Sequence, residues 1–243
     1  VLLGPDTGVP LTSLEAALHC DGSITVTNGT WISQHTINSN QTISSNGNVS
    51  TSGTYSSING NVWAEGSITG NVSGSSSSGM TPPRELPGSS VFDYYKANGT
   101  WIDITSLPTS LGTRMIDKTL LSPASNPWGE TNVEGIYVID CQAEKICIQN
   151  SRIVGTLVLL NPGANSTTAW VNLFQPAVAN YPVLMVDGSF GLNDSNLWID
   201  EAFQVTNFNP VGTPYQGVED SDTSDIYPAE MQGLVYISGI ASL

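Results

Sequence analysis

The chain has 243 residues, and 39% of them are hydrophobic, which is enough for a folded core and argues against wholesale disorder. Its 21 acidic residues outnumber six basic residues and give a net charge of −15 at pH 7. This balance excludes nucleic acid and anionic membrane surfaces as partners, because both bind clustered Lys and Arg. The most apolar run, Ile153 to Leu160, is far shorter than the ~20 residues of a bilayer span.

The N-terminal residues predict a short helix. Thr12-Ser-Leu-Glu15 matches a capping box, and Leu14, Ala17 and Leu18 follow as a short apolar face. The alternative treats residues 17–27 as a first strand. We favour a short helix that leads directly into that strand.

Residues 21–79 carry short β-branched runs at near-even spacing, with Gly or Asn-Gly between them. The phrase Ile58-Asn-Gly-Asn-Val62 is followed by a similar phrase, Ile68-Thr-Gly-Asn-Val72. Short strands separated by turn residues at regular intervals are typical of a β-solenoid, in which each rung completes its core only against its neighbours. The two phrases are therefore interpreted as successive rungs of a coil.

The middle of the chain is less regular. Residues 73–87 are rich in Ser and Pro and are predicted to form a linker. Residues 80–132 are predicted to be a linker and irregular insertion, in which Val91-Phe-Asp-Tyr-Tyr-Lys96 has the pattern of a helical turn.

The last segment, 133–243, contains the most strand-like runs, beginning at Ile136 and separated by only two or three residues. Such short intervals favour sharp bends over wide hairpins. A long acidic, polar excursion over 188–230 interrupts the series, and a loop of that length is usually functional or stabilised by an ion. We predict an all-β fold, a parallel β-solenoid with an irregular insertion, with 1–79, 80–132 and 133–243 in one structural unit. The alternative is an antiparallel β-sandwich.

Three cysteines, Cys20, Cys141 and Cys147, leave at least one free thiol, because their number is odd. Cys141 and Cys147 flank a short segment where two strands meet at a bend, so they are a candidate disulfide. No Cys-x-x-Cys motif is present, which argues against zinc and thiol redox chemistry.

The segment 217–225 concentrates acidic side chains. Glu219, Asp220, Asp222 and Asp225 place four carboxylates within seven residues, with no basic residue nearby. Such a cluster repels itself unless a cation neutralises it, and Ca²⁺ accepts six to eight oxygen ligands from irregular loops. These four residues are therefore a candidate calcium site. The alternative is a solvated acidic loop.

No nucleophile, zinc or nucleotide motif is found, so no catalytic residue is assigned. Asp187, Asp200 and Glu201 have the residue types of a glycosidase acid–base pair, but structural carboxylates are the favoured interpretation. Trp128 and Trp198 lie in polar segments, where indole rings are candidates for stacking on sugars.

Two stretches carry a resemblance. The Gly-punctuated repeats over 60–73 resemble those of bactofilin-like and other β-helical surface proteins. The stretch from Gly135 to Leu160, with Tyr181-Pro-Val-Leu-Met-Val and Gly233-Leu-Val-Tyr-Ile-Ser-Gly, is similar to exported bacterial proteins associated with type IV or Tad-type pilus systems. The resemblance implies a structural role and transfers no catalytic residues.

The sequence therefore predicts a non-catalytic structural protein, extracellular or at the cell surface, such as a pilus- or filament-associated component or an adhesin. Its expected partners are other surface or filament subunits, with self-assembly, or glycans. Neither nucleic acid nor direct membrane insertion is expected, and calcium is the only expected cofactor. The alternative is a carbohydrate-binding module or a β-helical enzyme acting on polysaccharides. A chain that opens at Val1 also suggests a processed product.

Overall fold

A computed structural model of the chain describes residues 16, 18–27, 30–32, 42–53 and 56–242. These residues are mostly β-structure, which confirms the predicted fold class at that level. They divide into two compact units, one ending at Gly88 and one beginning at Ser89. Residues 89–132 belong to the second unit.

The first unit contains nine short strands among its described residues: β1 Leu18–Cys20, β2 Ile24–Thr27, β3 Thr30–Ile32, β4 Thr42–Ser45, β5 Val49–Ser52, β6 Ser57–Asn59, β7 Asn61–Ala64, β8 Ile68–Thr69 and β9 Ser76–Ser77. They form three parallel sheets, ordered β1-β4-β7-β9, β2-β5-β8 and β3-β6. The predicted helix over 12–18 lies largely outside the described residues, and Leu18 already belongs to β1.

Aliphatic side chains stack in register through this unit. Ile43 on β4 pairs with Val62 on β7, and Val49 on β5 pairs with Ile68 on β8. Because side chains alternate across a strand, one apolar residue from each short strand enters the core. Ile43, Val49, Ile58 and Val62 are buried, and each contributes about 1.5–3 kcal/mol.

The two similar phrases at 58–62 and 68–72 do not stack with their equivalent residues paired. Ile58 pairs with Val72 across a parallel bridge, whereas Ile68 pairs with Val49. In each phrase the chain therefore bends from one sheet to the next. A glycine lies at these corners because backbones approach closely there: a Cβ added to Gly74 would lie 2.3 Å from the carbonyl oxygen of Gly60.

The second unit has a longer series of strands: β10 Thr100–Trp101, β11 Thr109–Ser110, β12 Thr113–Asp117, β13 Leu120–Leu121, β14 Ile136–Asp140, β15 Ile146–Val154, β16 Thr156–Leu160, β17 Thr167–Gln175, β18 Leu184–Asp187, β19 Phe190–Asp194, β20 Trp198–Asp200, β21 Ile226–Pro228, β22 Glu230–Met231, β23 Val235–Ile237 and β24 Ala241–Ser242. Its helices are α1 Val91–Asn98, α2 Glu201–Gln204 and a 3-10 turn at Ile104–Ser106. Helix α1 includes the predicted helical turn.

Two parallel sheets dominate this unit. One is ordered β10-β14-β16-β18-β23, and the other contains the path β12-β15-β17-β19-β24. Strands β13 and β22 pair with the second halves of β15 and β17. Among the named strands described in this unit, the antiparallel pairs are β11–β12 and β20–β21. The antiparallel sandwich, which was the alternative, requires antiparallel ladders throughout and does not fit this pairing.

The central strands of the first sheet, β14, β16 and β18, are buried on both faces. Tyr137 and Ile139 on β14 enter the main core, while Ile136 and Val138 point to the opposite face. Helix α1 packs against β14, and Phe92 on this helix lies 5.7 Å, centroid to centroid, from the ring of Tyr236. Helix α1 accounts for the continuous apolar runs of these strands, because alternating polar residues occur only where one face is solvated.

The predicted disulfide is absent, because Cys20, Cys141 and Cys147 are all free. Cys141 belongs to the main core together with Ile146 and Ile148. Cys147 lies between these two isoleucines on β15 and therefore points to the other face of the strand. The two thiols thus lie on opposite faces, which the spacing of the cysteines alone did not reveal.

No helix in the described part of the chain combines the length and the apolar character that a bilayer crossing requires.

Candidate functional site

Residues 195–229, between β19 and β22, form an ordered excursion from the parallel strands. Its two ends pair as β20 and β21, with Ile199 opposite Tyr227 and Trp198 opposite Pro228. Ile199 and Tyr227 are buried with Leu173 of β17, whereas Trp198 is exposed. The excursion therefore has an inner face that packs on the sheet and an outer face that meets solvent.

Arg152 on β15 holds the middle of the excursion. Its side chain is 2% exposed, and it donates hydrogen bonds to the backbone carbonyls of Phe208, Thr213 and Pro214 at 2.6, 3.2 and 2.8 Å. The Nε atom donates to the side-chain oxygen of Gln175 at 3.0 Å. A planar guanidinium is suited to this task because its donors are fixed in a fork. The hydrogen bonds of Arg152 therefore stabilise the fold of the excursion.

Glu201, at the start of α2, holds the rest of the excursion from within. Its carboxylate is fully buried and accepts hydrogen bonds from the amides of Phe208 and Asp225 and from the hydroxyl of Tyr227, at 2.5, 3.2 and 2.8 Å. Burial, reinforced by this hydrogen bond to the carboxylate, raises the pKa of Tyr227. Charge-assisted bonds of this kind satisfy a buried carboxylate without a cationic partner.

The three carboxylates considered for acid–base chemistry have separate structural tasks. Asp200 caps α2 by accepting from the amide of Phe203 at 3.2 Å, and Glu201 is buried as described. Asp187, at the end of β18, accepts from the hydroxyl of Ser238 at 3.0 Å. Each accepts a hydrogen bond that stabilises the fold around it.

The four carboxylates of the predicted calcium site divide into separate contacts. Glu219 accepts from the amide of Gly212 at 2.9 Å, and Asp222 accepts from the amide and the hydroxyl of Ser224 at 2.9 and 2.6 Å. Within the described residues, no group of three or more His, Cys, Asp or Glu side chains is arranged to hold a metal ion.

Asp220 and Asp225 do converge, at the side chain of Asn209. The Asn209 amide nitrogen donates to both carboxylates, at 3.2 and 2.9 Å. Asn209 is 1% exposed, so this amide supplies inside the loop part of the compensation that the sequence analysis assigned to calcium. The calcium site itself stays a prediction.

The two tryptophans predicted to bind sugars have different surroundings. Trp128 is partly buried and packs against the main core, which gives its indole a structural role. Trp198 is 61% exposed on the outer face of β20. Trp170, which the sequence analysis did not single out, is 57% exposed at a bend in β17.

Trp170 has an unusual backbone conformation. Its φ is 60°, in the left-handed region, and the corresponding residues of the preceding strands, Lys118 and Asn150, have φ of 52° and 50°. The registers Asp117↔Gln149 and Gln149↔Ala169 align these three corners. For a residue other than Gly this conformation costs ~1–2 kcal/mol, and bulky side chains rarely adopt it.

The excursion begins directly beside this corner. The carbonyl oxygen of Trp170 accepts hydrogen bonds from the amides of Ser195 and Asn196, at 2.7 and 3.1 Å. Asp194 is the register partner of Trp170, and Trp198 follows two residues after Asn196. These five residues, Trp170, Asp194, Ser195, Asn196 and Trp198, are called the tryptophan surface.

Asp194 is the charged group of the tryptophan surface. Although the residue as a whole is exposed, desolvation of its carboxyl group raises its pKa, while hydrogen bonds from Thr168 and Asn172 oppose the shift. The side-chain amide of Asn172 donates to Asp194 Oδ1 at 3.0 Å. Asn172 is fully buried, and its own Oδ1 has no hydrogen-bond partner. The hydrogen bond from Asn172 thus fixes the Asp194 carboxylate at the residue that pairs in register with Trp170.

Sequence reasoning missed Trp170 because a tryptophan inside a β-rich run normally packs in a core. The signal lies in the alignment of residues 149–151 with 169–172, where Asn150, a residue suited to left-handed backbone, corresponds to Trp170. That alignment requires the strand register, which is a tertiary property.

No protein-family model, curated protein or solved structure matches this chain.

Proposed function

We propose that this chain is a non-catalytic structural protein, extracellular or at the cell surface, of the kind found in pilus- or filament-associated components and adhesins. Its fold is proposed to be a parallel β-solenoid that carries the excursion 195–229 as a rigid display element. Its partners are other surface or filament subunits or glycans.

The solenoid is supported by the way the strands follow one another. In the second unit, β14, the two halves of β15, and β16 succeed each other along the chain, and each pairs in parallel with a strand one circuit later. Parallel register partners with short connections are expected when a chain coils, because each circuit stacks on the previous one. The first unit repeats this order with β4 to β9.

The functional proposal rests on the hydrogen bonds that two buried charged residues, Arg152 and Glu201, make to the excursion. Arg152 donates to four acceptors, and three of them are backbone carbonyls of the excursion. The carboxylate of Glu201 accepts from two backbone amides and one hydroxyl of the same segment. Groups that would otherwise be candidates for chemistry thus hold one loop in a fixed shape, as presentation of a binding surface requires.

The excursion exposes apolar side chains to solvent. Leu197, Trp198, Phe203 and Val205 are exposed by 72%, 61%, 77% and 80%, respectively. Large apolar side chains that cluster on a folded surface indicate an interaction site, because their exposure to water is unfavourable. Display of these side chains agrees with a role in binding.

The proposal is tested on cells of the source organism and with the purified chain. Antibodies against the chain are expected to label intact cells as strongly as permeabilised cells. The purified protein is expected to release no reducing sugar from neutral or acidic polysaccharides. Labelling only after permeabilisation would contradict the location, and sugar release would contradict the non-catalytic role. Electron microscopy of the purified protein distinguishes self-assembly from binding to another partner.

A further inference from the structure

The tryptophan surface contains two exposed tryptophans on adjoining segments of the chain. Trp170 and Trp198 are 57% and 61% exposed, and the hydrogen bond from Asn196 to the Trp170 carbonyl brings the chain of Trp198 to this corner. Two residues of extended chain, about 7 Å, connect Asn196 to Trp198. Strand β20 also contacts β17. The backbones of Trp170 and Trp198 therefore lie close enough for a single extended ligand to contact both residues.

Packing does not account for the indole of Trp170. The same left-handed corner is formed by Asn150 one strand earlier, so an asparagine satisfies the backbone there. Trp170 occupies a conformation that disfavours bulky residues, and more than half of its surface remains in solvent. Residues with strained backbone are concentrated at ligand-binding and active sites. The strain at Trp170, together with its exposed ring, therefore indicates contact with a ligand.

The surroundings of the two rings determine the chemistry of the ligand. Asp194, Ser195 and Asn196 are exposed beside Trp170 and offer a carboxylate, a hydroxyl and an amide. No Lys or Arg occurs in 153–243, and the preceding Arg152 is buried. In the aligned corners, the exposed Lys118 lies two strands away from Trp170. The five residues of the tryptophan surface themselves include no cation for an anionic polymer, while they have donors and acceptors that match hydroxyl groups.

We propose that the tryptophan surface binds an uncharged oligosaccharide. This inference rests on the proposed function and names the class of glycan that the displayed surface takes. The C–H faces of a sugar ring carry partial positive charge and stack on the negative face of an indole. Trp170 and Trp198 stack on two sugar rings of one chain, while Asp194 and Asn196 hydrogen bond with their hydroxyl groups.

Binding is measured with the whole chain against soluble neutral oligosaccharides, namely β-glucan, mannan, galactan and N-acetylglucosamine chains. Alginate and polygalacturonate serve as anionic comparisons. The wild type is expected to bind at least one neutral chain, with a change in tryptophan fluorescence and reduced quenching by acrylamide. Trp170→Asn and Trp198→Ala are each expected to weaken binding by about tenfold or more, as the loss of a central aromatic contact does.

Trp101→Ala is the matched control, because Trp101 is 53% exposed on β10, outside the tryptophan surface, and this variant is expected to bind like the wild type. Absence of binding to every neutral chain, equal losses in all three variants, or stronger binding to the anionic polymers would overturn the glycan site. So would self-association that Trp198→Ala abolishes in place of sugar binding, because the occupant would then be a second copy. These outcomes leave the non-catalytic surface role in place, whereas release of reducing sugar would overturn that role.

Discussion

Trp170 and Asn150 occupy the same corner on neighbouring strands, with φ of 60° and 50°. Their neighbours Ala169 and Gln149 are register partners in the parallel ladder between β15 and β17. The two corners share a left-handed residue and carry very different side chains, and β17 has one additional residue, Val171, before the register resumes at Ser151↔Asn172.

Trp170→Asn is expected to leave the stability of the protein unchanged or to raise it by up to about 1 kcal/mol, because asparagine tolerates left-handed backbone better than tryptophan. The measurement is the thermal unfolding midpoint, for which the expected rise is at most about 4 °C. Trp170→Val is the comparison, since a β-branched residue is disfavoured at this φ, and it is expected to lower the midpoint. Strong destabilisation by asparagine would show that the indole has a packing role.

Arg152→Lys is expected to destabilise the second unit by about 2–5 kcal/mol, because an ammonium group cannot reach all four acceptors and buried carbonyls then lose their partners. The measurement is urea unfolding together with thermolysin cleavage, since trypsin has no site in residues 195–229. Cleavage in the excursion is expected before global unfolding.

The control for Arg152→Lys is Arg114→Lys. Arg114 pairs with Glu144 at 2.6 Å and also donates to the carbonyl of Leu107 at 3.3 Å, but both members of the ion pair are partly exposed. The change is therefore expected to cost about 1 kcal/mol, less than Arg152→Lys. If both variants lose the same stability, the buried fork of Arg152 has no special role.

The thiols provide a test of the absent disulfide. Burial raises the pKa of Cys141 to about 12, so this thiol stays protonated and unreactive at pH 8. Burial also raises the pKa of Cys147, while Cys20 is only partly buried. A thiol reagent is expected to label Cys20 rapidly in the native protein and all three cysteines after denaturation without reductant. A single reactive thiol after denaturation would instead support a Cys141–Cys147 bridge.

Gly155→Ala is expected to destabilise the second unit by about 2–5 kcal/mol through overpacking and backbone strain. A Cβ at this position would lie 2.0 Å from the carbonyl oxygen of Gly135 on the neighbouring turn. Gly217→Ala is the control, because Gly217 has a positive φ of 85° but no atom within 4 Å of an added Cβ. It is expected to cost only ~1–2 kcal/mol. Equal urea midpoints for the two variants would contradict a close approach at Gly155.

The calcium prediction is tested by thermal unfolding with 1 mM calcium and with chelator. Because Asn209 already compensates Asp220 and Asp225, while Glu219 and Asp222 bond elsewhere, we expect the two midpoints to agree within about 2 °C, which corresponds to occupancy no greater than about half. Magnesium at the same concentration controls for ionic strength. A larger rise that Asp225→Asn removes would establish the predicted calcium site.

Much of the architecture was predictable because it depends on local periodicity. Single β-branched residues such as Ile43, Val49 and Val62, with turn residues between them, can be buried only by stacking on similar strands. The apolar runs around Ile136 and Leu157 likewise predicted strands joined by sharp bends. The repeats at 58–62 and 68–72 were interpreted as successive rungs, but their equivalent residues do not pair. Ile58 pairs with Val72, and Ile68 pairs with Val49 in another sheet.

The sequence by itself determined the all-β class, the strand-rich segments, the helical turn at 91–96 and the acidic excursion, because composition and spacing encode these directly. Only the tertiary structure decided which distant residues meet. Arg152 meets carbonyls more than 50 residues later in the chain, Cys141 and Cys147 separate onto opposite faces, and Trp170 comes beside the segment that carries Trp198. These relationships depend on register and on the path of the excursion, and both follow from packing between strands rather than from any local pattern.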